Sequence, residues 1–243
     1  MKNLYIPGFE RSPMSASIPI RKRNKVKKKK QEFHPNIKEL FHSELYGSFP
    51  TAGKTPLSVL EPTKNIYPAR LVPFNEAYAN KDFNCTVHFY INDELFLRVL
   101  RNPEKYLEFF QKCHSVIGPD LSQYINMSYE ERYYCAYINR AFTAYLQRNG
   151  VNVIINVTWS LPDSYEYSIA GIPQHSVIAI NCTGILKYNV SKYLWQRGYK
   201  YACEHIDPIM IVRYGDKMPC EDSAISLHFD NERIKRLRYG SER

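Results

Sequence analysis

The chain has 243 residues, of which 44% are apolar and 14% aromatic, with Tyr alone occurring 20 times. That length and composition can bury a sizeable core and exclude global disorder. The formal charge is +9, yet eight cations, Arg21, Lys22, Arg23, Lys25, Lys27, Lys28, Lys29 and Lys30, crowd one short window. Without them the remainder is close to neutral, so the strong positive charge belongs to an extension.

No apolar run reaches the ~18 residues that a membrane span needs. The stretch Met1–Ile20 is broken by Pro7, Pro13 and Pro19 and does not read as a signal segment. Six cysteines are scattered without a CxxC pair, mostly inside apolar patterns. Free, buried thiols of that kind fit a reducing compartment, so a cytoplasmic location is expected.

Residues 1–33 are rich in Pro, Ser and cations and are expected to be a disordered basic extension. Residues 34–66 read as a short helix and a linker. The helix candidate, Asn36–Tyr46, places Ile37, Leu40, Phe41 and Leu45 on one face. The run from Gly47 to Thr55 has the look of a phosphate-binding loop, but it holds five residues between its glycines instead of four. It also follows a helix, and Pro56 denies it a helix start.

From Tyr67 to the end the pattern is that of an α/β domain. Strands are expected at Ala69–Phe74 and Cys85–Ile91, and Asn92-Asp93 can cap a helix carrying Leu95, Phe96, Val99 and Leu100. Asn102-Pro103 interrupts it, and a second helix follows to Cys113. The apolar run Ser115–Ile117 then ends at Gly118-Pro119-Asp120. Ser128 and Glu131 form a capping box for a long helix to Arg148, with Tyr134, Ile138, Phe142 and Tyr145 on one stripe. Glu130, Glu131, Arg132, Arg140 and Arg148 are expected mainly away from that stripe. Tyr129, Tyr133 and Tyr137, four apart, read as its semi-buried flank. Asn149-Gly150 stops the helix, and Val151–Trp159 is the next strand.

Asp163 is expected to cap a short helix to Ala170. Ser176–Asn181 follows as a strand covered on both faces, then a helix from Val190 to Ile206 bent near Gly198. Ile209–Tyr214 is the last strong strand, Gly215-Asp216 a turn, and Asn231–Tyr239 a final basic helix. Strands joined through helices are parallel with right-handed crossovers. The expected architecture is therefore α/β, with about six mostly parallel strands in an open sheet or partial barrel and flanking helices. A complete eight-fold barrel takes ~250 residues, more than remain after Tyr67.

The segments HFYINDELF (88–96), NPEKYLEFFQKCHSVIGPDLS (102–122), NRAFTAYLQRNGVNVIINVTWS (139–160), GIPQHSVIAINCTG (171–184) and VRYG (212–215) resemble the DUF4417 family, over roughly Tyr67 to Gly215. That resemblance implies a bacterial, phage or mobile-element setting. It supplies no catalytic residues, and it does not extend to the basic block.

Chemistry has to be read from position. Ligands of parallel α/β sheets sit beyond the C-terminal strand ends. Those ends carry Asn92 and Asp93, Asp120 and Ser122, Trp159 and Ser160, Asn181, Thr183 and Gly184, and Tyr214 to Asp216. Asp120 and Asp93 are the candidate catalytic carboxylates, and a two-carboxylate metal site for phosphoryl chemistry is the reaction they could serve. Ser122, Trp159, Ser160, Asn181, Thr183 and Tyr214 are the candidate pocket residues, framed by Asp120 and Trp159. No metal set is assigned and no cofactor is identified, because GxGxxG, HExxH and G-x-S-x-G are all lacking. His88-Phe89-Tyr90 also lacks the second His of a rolling-circle nuclease. Two functions remain in view. One is a nucleic-acid-associated protein whose 21–30 block grips the phosphates of DNA or RNA. The other is an enzyme acting on a nucleotide or nucleic acid at the strand-exit edge.

Overall fold

The computed structural model describes residues 40, 42–47, 50–53, 55–219 and 224–231. The basic extension, residues 36–39 and 41 of the helix expected at Asn36–Tyr46 and nearly all of the one expected at Asn231–Tyr239 lie outside them. Within them Ser43–Tyr46 is helical (α1).

Seven strands form one sheet: β1 (Leu71–Pro73), β2 (Thr86–His88), β3 (Ser115–Ile117), β4 (Val153–Asn156), β5 (Val177–Cys182), β6 (Met210–Gly215) and β7 (Ile225–Phe229). Their spatial order is their chain order, and every neighbouring pair is parallel. The sequence reading found six of them and missed β7, whose residues stay half-exposed at the sheet edge and carry no strong apolar run. β1, β2 and β4 are shorter than expected, β3 is as expected, β5 and β6 start one residue later, and Phe74 begins α2 (Phe74–Asn80) instead of ending β1.

The helices between strands are α3 (Leu97–Arg101), α4 (Pro103–Lys112), α5 (Tyr129–Arg148), α6 (Tyr165–Ile169) and α7 (Asn189–Ile206). Pro103 breaks α3 from α4 and sits at the first helical position, where its missing N–H costs nothing. The capping box at the start of α5 is fully formed: the Ser128 hydroxyl accepts from the Glu131 N–H, and the Glu131 carboxylate accepts from the Ser128 N–H. Asp163 is not a cap. Its carboxylate accepts from the guanidinium of the buried Arg132 at 2.7 Å. Arg132 and Arg140 are both buried, against expectation, and Arg140 closes onto the carbonyl oxygens of Ser168 and Ala170.

Unidirectional winding with right-handed crossovers sends the helices to one face of a sheet. On that face Phe89 packs among Phe74, Phe96, Phe110 and Phe142. The other face holds Ile117, Ile154, Val177, Ala179, Met210 and Val212, together with Tyr90 and Tyr214. It is curled into a trough. In a flat sheet β2 and β6 would stand about 19 Å apart, four spacings of ~4.8 Å. Yet the His88 ring on β2 lies 4.6 Å from the Tyr214 ring on β6, and Tyr90 stacks on Tyr214 at 5.2 Å. Seven parallel strands thus make a half-barrel.

The expected bend near Gly198 is absent, since α7 runs unbroken. Gly198 serves packing: a Cβ there would run into the indole of Trp159. Alanine favours a helix over glycine by about 1 kcal/mol, whereas forcing atoms into a packed contact costs about 1–3 kcal/mol. Gly198→Ala should therefore lower the urea midpoint despite its better helix propensity. An unchanged or raised midpoint would show that the indole yields freely.

Candidate functional site

At the C-terminal ends of the central strands, side chains alternate so that Ile154, Asn156 and Thr158 face one way, as do Ala179 and Asn181. Ile154 and Ala179 line the trough, so the residues beyond them extend it upward as a polar layer. Asp120, just past β3, is their meeting point. Asn156 donates to one of its carboxylate oxygens and Asn181 to the other, each at 3.0 Å, and Thr158 adds a third hydrogen bond.

The two amides are themselves held. Asn156 also donates to the Pro119 carbonyl at 2.9 Å, and its own carbonyl accepts from the Tyr90 hydroxyl at 2.9 Å. The Asn181 side-chain carbonyl accepts from the Thr183 N–H at 2.9 Å. Orientation of every group in this cluster is therefore fixed before any ligand arrives. Asp120, Asn156, Thr158 and Asn181 all keep partial contact with solvent. Desolvation nonetheless raises the Asp120 carboxyl above the usual carboxylate range, outweighing its hydrogen bonds from Asn181, Asn156 and Thr158.

Asp93 stands close by and is buried. Its carboxylate accepts from the Ser122 N–H at 3.2 Å and the Ser122 hydroxyl at 3.1 Å. Burial pushes its pKa up to about 6, and the charge of Asp120 adds to the rise. Below this layer, burial pulls His88 down to about 3, which keeps the imidazole neutral. Its Nδ1 accepts from the Tyr90 N–H at 3.1 Å, and its Nε2 has no hydrogen-bond partner among the described residues.

The structure thus gathers Asp120 and Asn181 directly, with Asp93 and Ser122 as a neighbouring pair. Tyr214 belongs to the ring stack beneath them. Thr183 touches the cluster through its backbone. Trp159 and Ser160 do not join it: the Trp159 indole lies against Gly198 and Trp195 on the helix side, and the Ser160 N–H donates to the Ser164 hydroxyl. The sequence reading missed Asn156, Thr158 and Tyr90. The signal was there in the alternation of Ile154, Asn156 and Thr158, which carries polar groups onto the trough face as the strand ends. Among the described residues, no three or more His, Cys, Asp or Glu side chains are grouped so as to hold a metal ion. The basic block lies outside the described residues. An open hollow of about 490 Å³ lies at the opposite end of the sheet, lined by Glu61–Ile66, Gln147 and Val151–Val153.

A family model for a domain of unknown function, DUF4417, matches residues 49–230. The chain belongs to the DUF4417 family. The match begins before Tyr67 and runs past Gly215, so it takes in the linker and β7 as well as the segments quoted above. Among curated proteins, the Gene 1 protein of Mycobacterium phage L5 is 29% identical over 167 residues, covering 67% of this chain and 72% of that protein. The Gene 1 protein of Mycobacterium phage D29 is 27% identical over 179 residues, covering 72% of this chain and 66% of that protein. No solved structure matches. No helix among the described residues is long and apolar enough to cross a membrane.

The Asp93 and His88 shifts work against each other. Asp93 holds its proton more tightly when folded than its ordinary pKa of 3.8, so its contribution falls as pH rises between about 4 and 6. His88 resists protonation when folded, so its contribution rises with pH between about 3 and 6.5. Each slope is about 1.4 kcal/mol per pH unit and the two have opposite signs. Asp93→Asn should expose the His88 slope, so that stability by urea denaturation climbs more steeply from pH 4 to 6 than in the unaltered chain. Parallel pH curves for the two proteins would refute the assignment.

Proposed function

We propose that this DUF4417 protein is an enzyme acting on a nucleotide or nucleic acid, with Asp120 as its proton-transferring group. The observation that supports it is a desolvated carboxylate, on a residue that is itself only partly buried, at the meeting of three parallel strand ends. Active sites of parallel barrels occupy that edge. A carboxyl with a raised pKa can take a proton from an attacking hydroxyl or water and return it to a leaving group at near-neutral pH. Asn156, Asn181 and Thr158 hold it in one orientation, and Asp93 contributes negative charge beside it.

The test has two steps. Nucleoside mono- and triphosphates and short oligonucleotides are screened by thermal shift, and those that stabilise the chain are followed by chromatography for conversion. Loss of a positioned acid–base group costs about 10²–10⁴ in rate, so Asp120→Asn should reduce turnover by that factor. Its new NH₂ replaces one of the two oxygens and so meets the NH₂ of either Asn156 or Asn181, donor against donor, so a lower Tm is expected and rates are compared well below it. The pH–rate profile is an independent readout, with an inflection above the usual Asp range in the unaltered chain. Full turnover in the Asp120→Asn chain, or a profile flat across that range, overturns the reading.

The eight cations between Arg21 and Lys30 favour a second, compatible role, in which the extension binds phosphate backbones of DNA or RNA in the cytoplasm of a bacterial or phage-infected cell. Deleting residues 1–33 should abolish duplex binding that is steeply salt-dependent. Unchanged affinity in the truncated chain refutes that role.

A further inference from the structure

The segment that leaves β5 next to Asp120 is rich in cations and exposed rings and has no acid. From Tyr167 to Cys203 there is no Asp or Glu, while Lys187, Lys192, Arg197 and Lys200 all fall in that span. Leu186, Tyr188 and Tyr193 are 49%, 60% and 37% exposed, so large apolar side chains and cations share this stretch of surface. The cations accompany the rings. The Lys187 ammonium lies 5.2 Å from the Tyr188 ring centre, and the Arg197 guanidinium lies 5.7 Å from that of Tyr193 and donates to its hydroxyl at 3.2 Å.

Tyr193, Arg197 and Lys200 recur at i, i+4 and i+7 of α7, so they share one exposed helix face. Glu204, one turn further on, pairs with Lys200 at 3.7 Å. The Asp216 carboxylate accepts from the Leu186 N–H of the loop at 3.3 Å. The inner face of the same helix is tied to the site, because the Trp195 indole N–H donates to the Asn181 carbonyl at 3.3 Å and the Asn181 amide holds Asp120. The helix that carries Tyr193, Lys192, Arg197 and Lys200 is thereby anchored to the strand that supplies Asn181.

We propose that the surface from Gly184 to Lys200 docks a single nucleic-acid strand. Tyr188 and Tyr193 stack on unpaired bases, and Lys187, Lys192, Arg197 and Lys200 meet the phosphates. Stacking on an aromatic side chain is tolerant of sequence and needs bases free of a partner strand, while clustered cations gain affinity by releasing counterions. The charge sign and the rings together select this ligand. A duplex offers phosphates but no free base faces, and an acidic protein offers charge without rings to stack. The inference deepens the nucleic-acid reading above, but it requires neither the basic block nor chemistry at Asp120.

The experiment uses the full-length chain with the eight cations of residues 21–30 replaced by glutamine, and a fluorescent oligo(dT) or oligo(U) of about 20 nucleotides, a few OB-fold site sizes long. Anisotropy is read over a range of salt. Single-strand binding should persist in this background and exceed binding to a duplex of equal length. Tyr188→Ala combined with Tyr193→Ala should weaken it at least ~10-fold with the salt slope unchanged. Lys187→Gln combined with Lys192→Gln should reduce the slope by about 1–2. All four side chains lie at or near the surface, and matching Tm values confirm the fold. No residual binding in the neutralised chain, or equal affinity after the Tyr pair is removed, overturns the proposal. So does loss of binding to phosphatidylserine vesicles with oligonucleotide affinity intact, which would assign the surface to a membrane. The readout is binding, so a failure of Asp120 as a proton-transferring group leaves it untouched.

Discussion

The contact that the rest of this fold depends on is made across the trough, where His88 of β2 and Tyr90 just beyond it meet Tyr214 of β6. Parallel strands laid side by side in chain order could twist into an open, nearly flat ribbon. Large rings projecting from two strands that are not neighbours remove apolar surface from water only if the sheet curls far enough for them to touch. Smaller residues on the strands between them, Ala179 and Val177 of β5 among others, leave room for that curvature. The cost is an imidazole whose Nε2 has no partner among the described residues, worth about 1–3 kcal/mol. Ring packing and apolar burial around it offset that loss.

Curling also decides what the strand ends can do. Groups that would diverge on a flat sheet converge on Asp120, and the cluster is satisfied by a fixed sense of donation. Tyr90 gives to Asn156, Asn156 and Asn181 give to Asp120, and the Thr183 N–H gives to Asn181. Along both arms the donation runs toward the carboxylate, with Asn156 giving to the Pro119 carbonyl besides. The ionised form is thereby favoured by its hydrogen bonds and disfavoured by its burial, and burial is the stronger influence. A group left between those influences is well placed to change its charge, which is what acid–base chemistry requires.

Much of the fold was legible in local patterns. The capping box at Ser128 and Glu131, the parallel winding and six of the seven strands all follow from short-range periodicity and turn chemistry. What escaped depends on tertiary placement. Arg132 and Arg140 look like surface charges by helical position, but loop carbonyls and Asp163 supply partners that let them be buried. Gly198 looks like a helix breaker until the Trp159 indole is seen lying over it. At the site, Asp120 and Asn181 could be singled out because they sit at strand exits. Trp159 sits at the same kind of position, yet strand alternation turns it to the helix side, and one residue of register separates the two outcomes. Asn156 was passed over because it falls inside an apolar strand, where only the two-residue period reveals the face it shares with Ile154.

Chain order in the sheet has a bearing on assembly and on descent. Since each strand is hydrogen-bonded only to the strands before and after it in sequence, the sheet can grow by successive addition of one strand and its helix. Such a structure has no long-range strand pairing to await, which shortens the loops that must close during folding. It also separates the parts by risk. Loss, gain or remodelling of β1 or β7 alters an edge, whereas Asp120, Asn156 and Asn181 come from the consecutive central strands β3, β4 and β5. Relatives can therefore differ widely at both ends of the chain and keep the same three-strand core with its carboxylate.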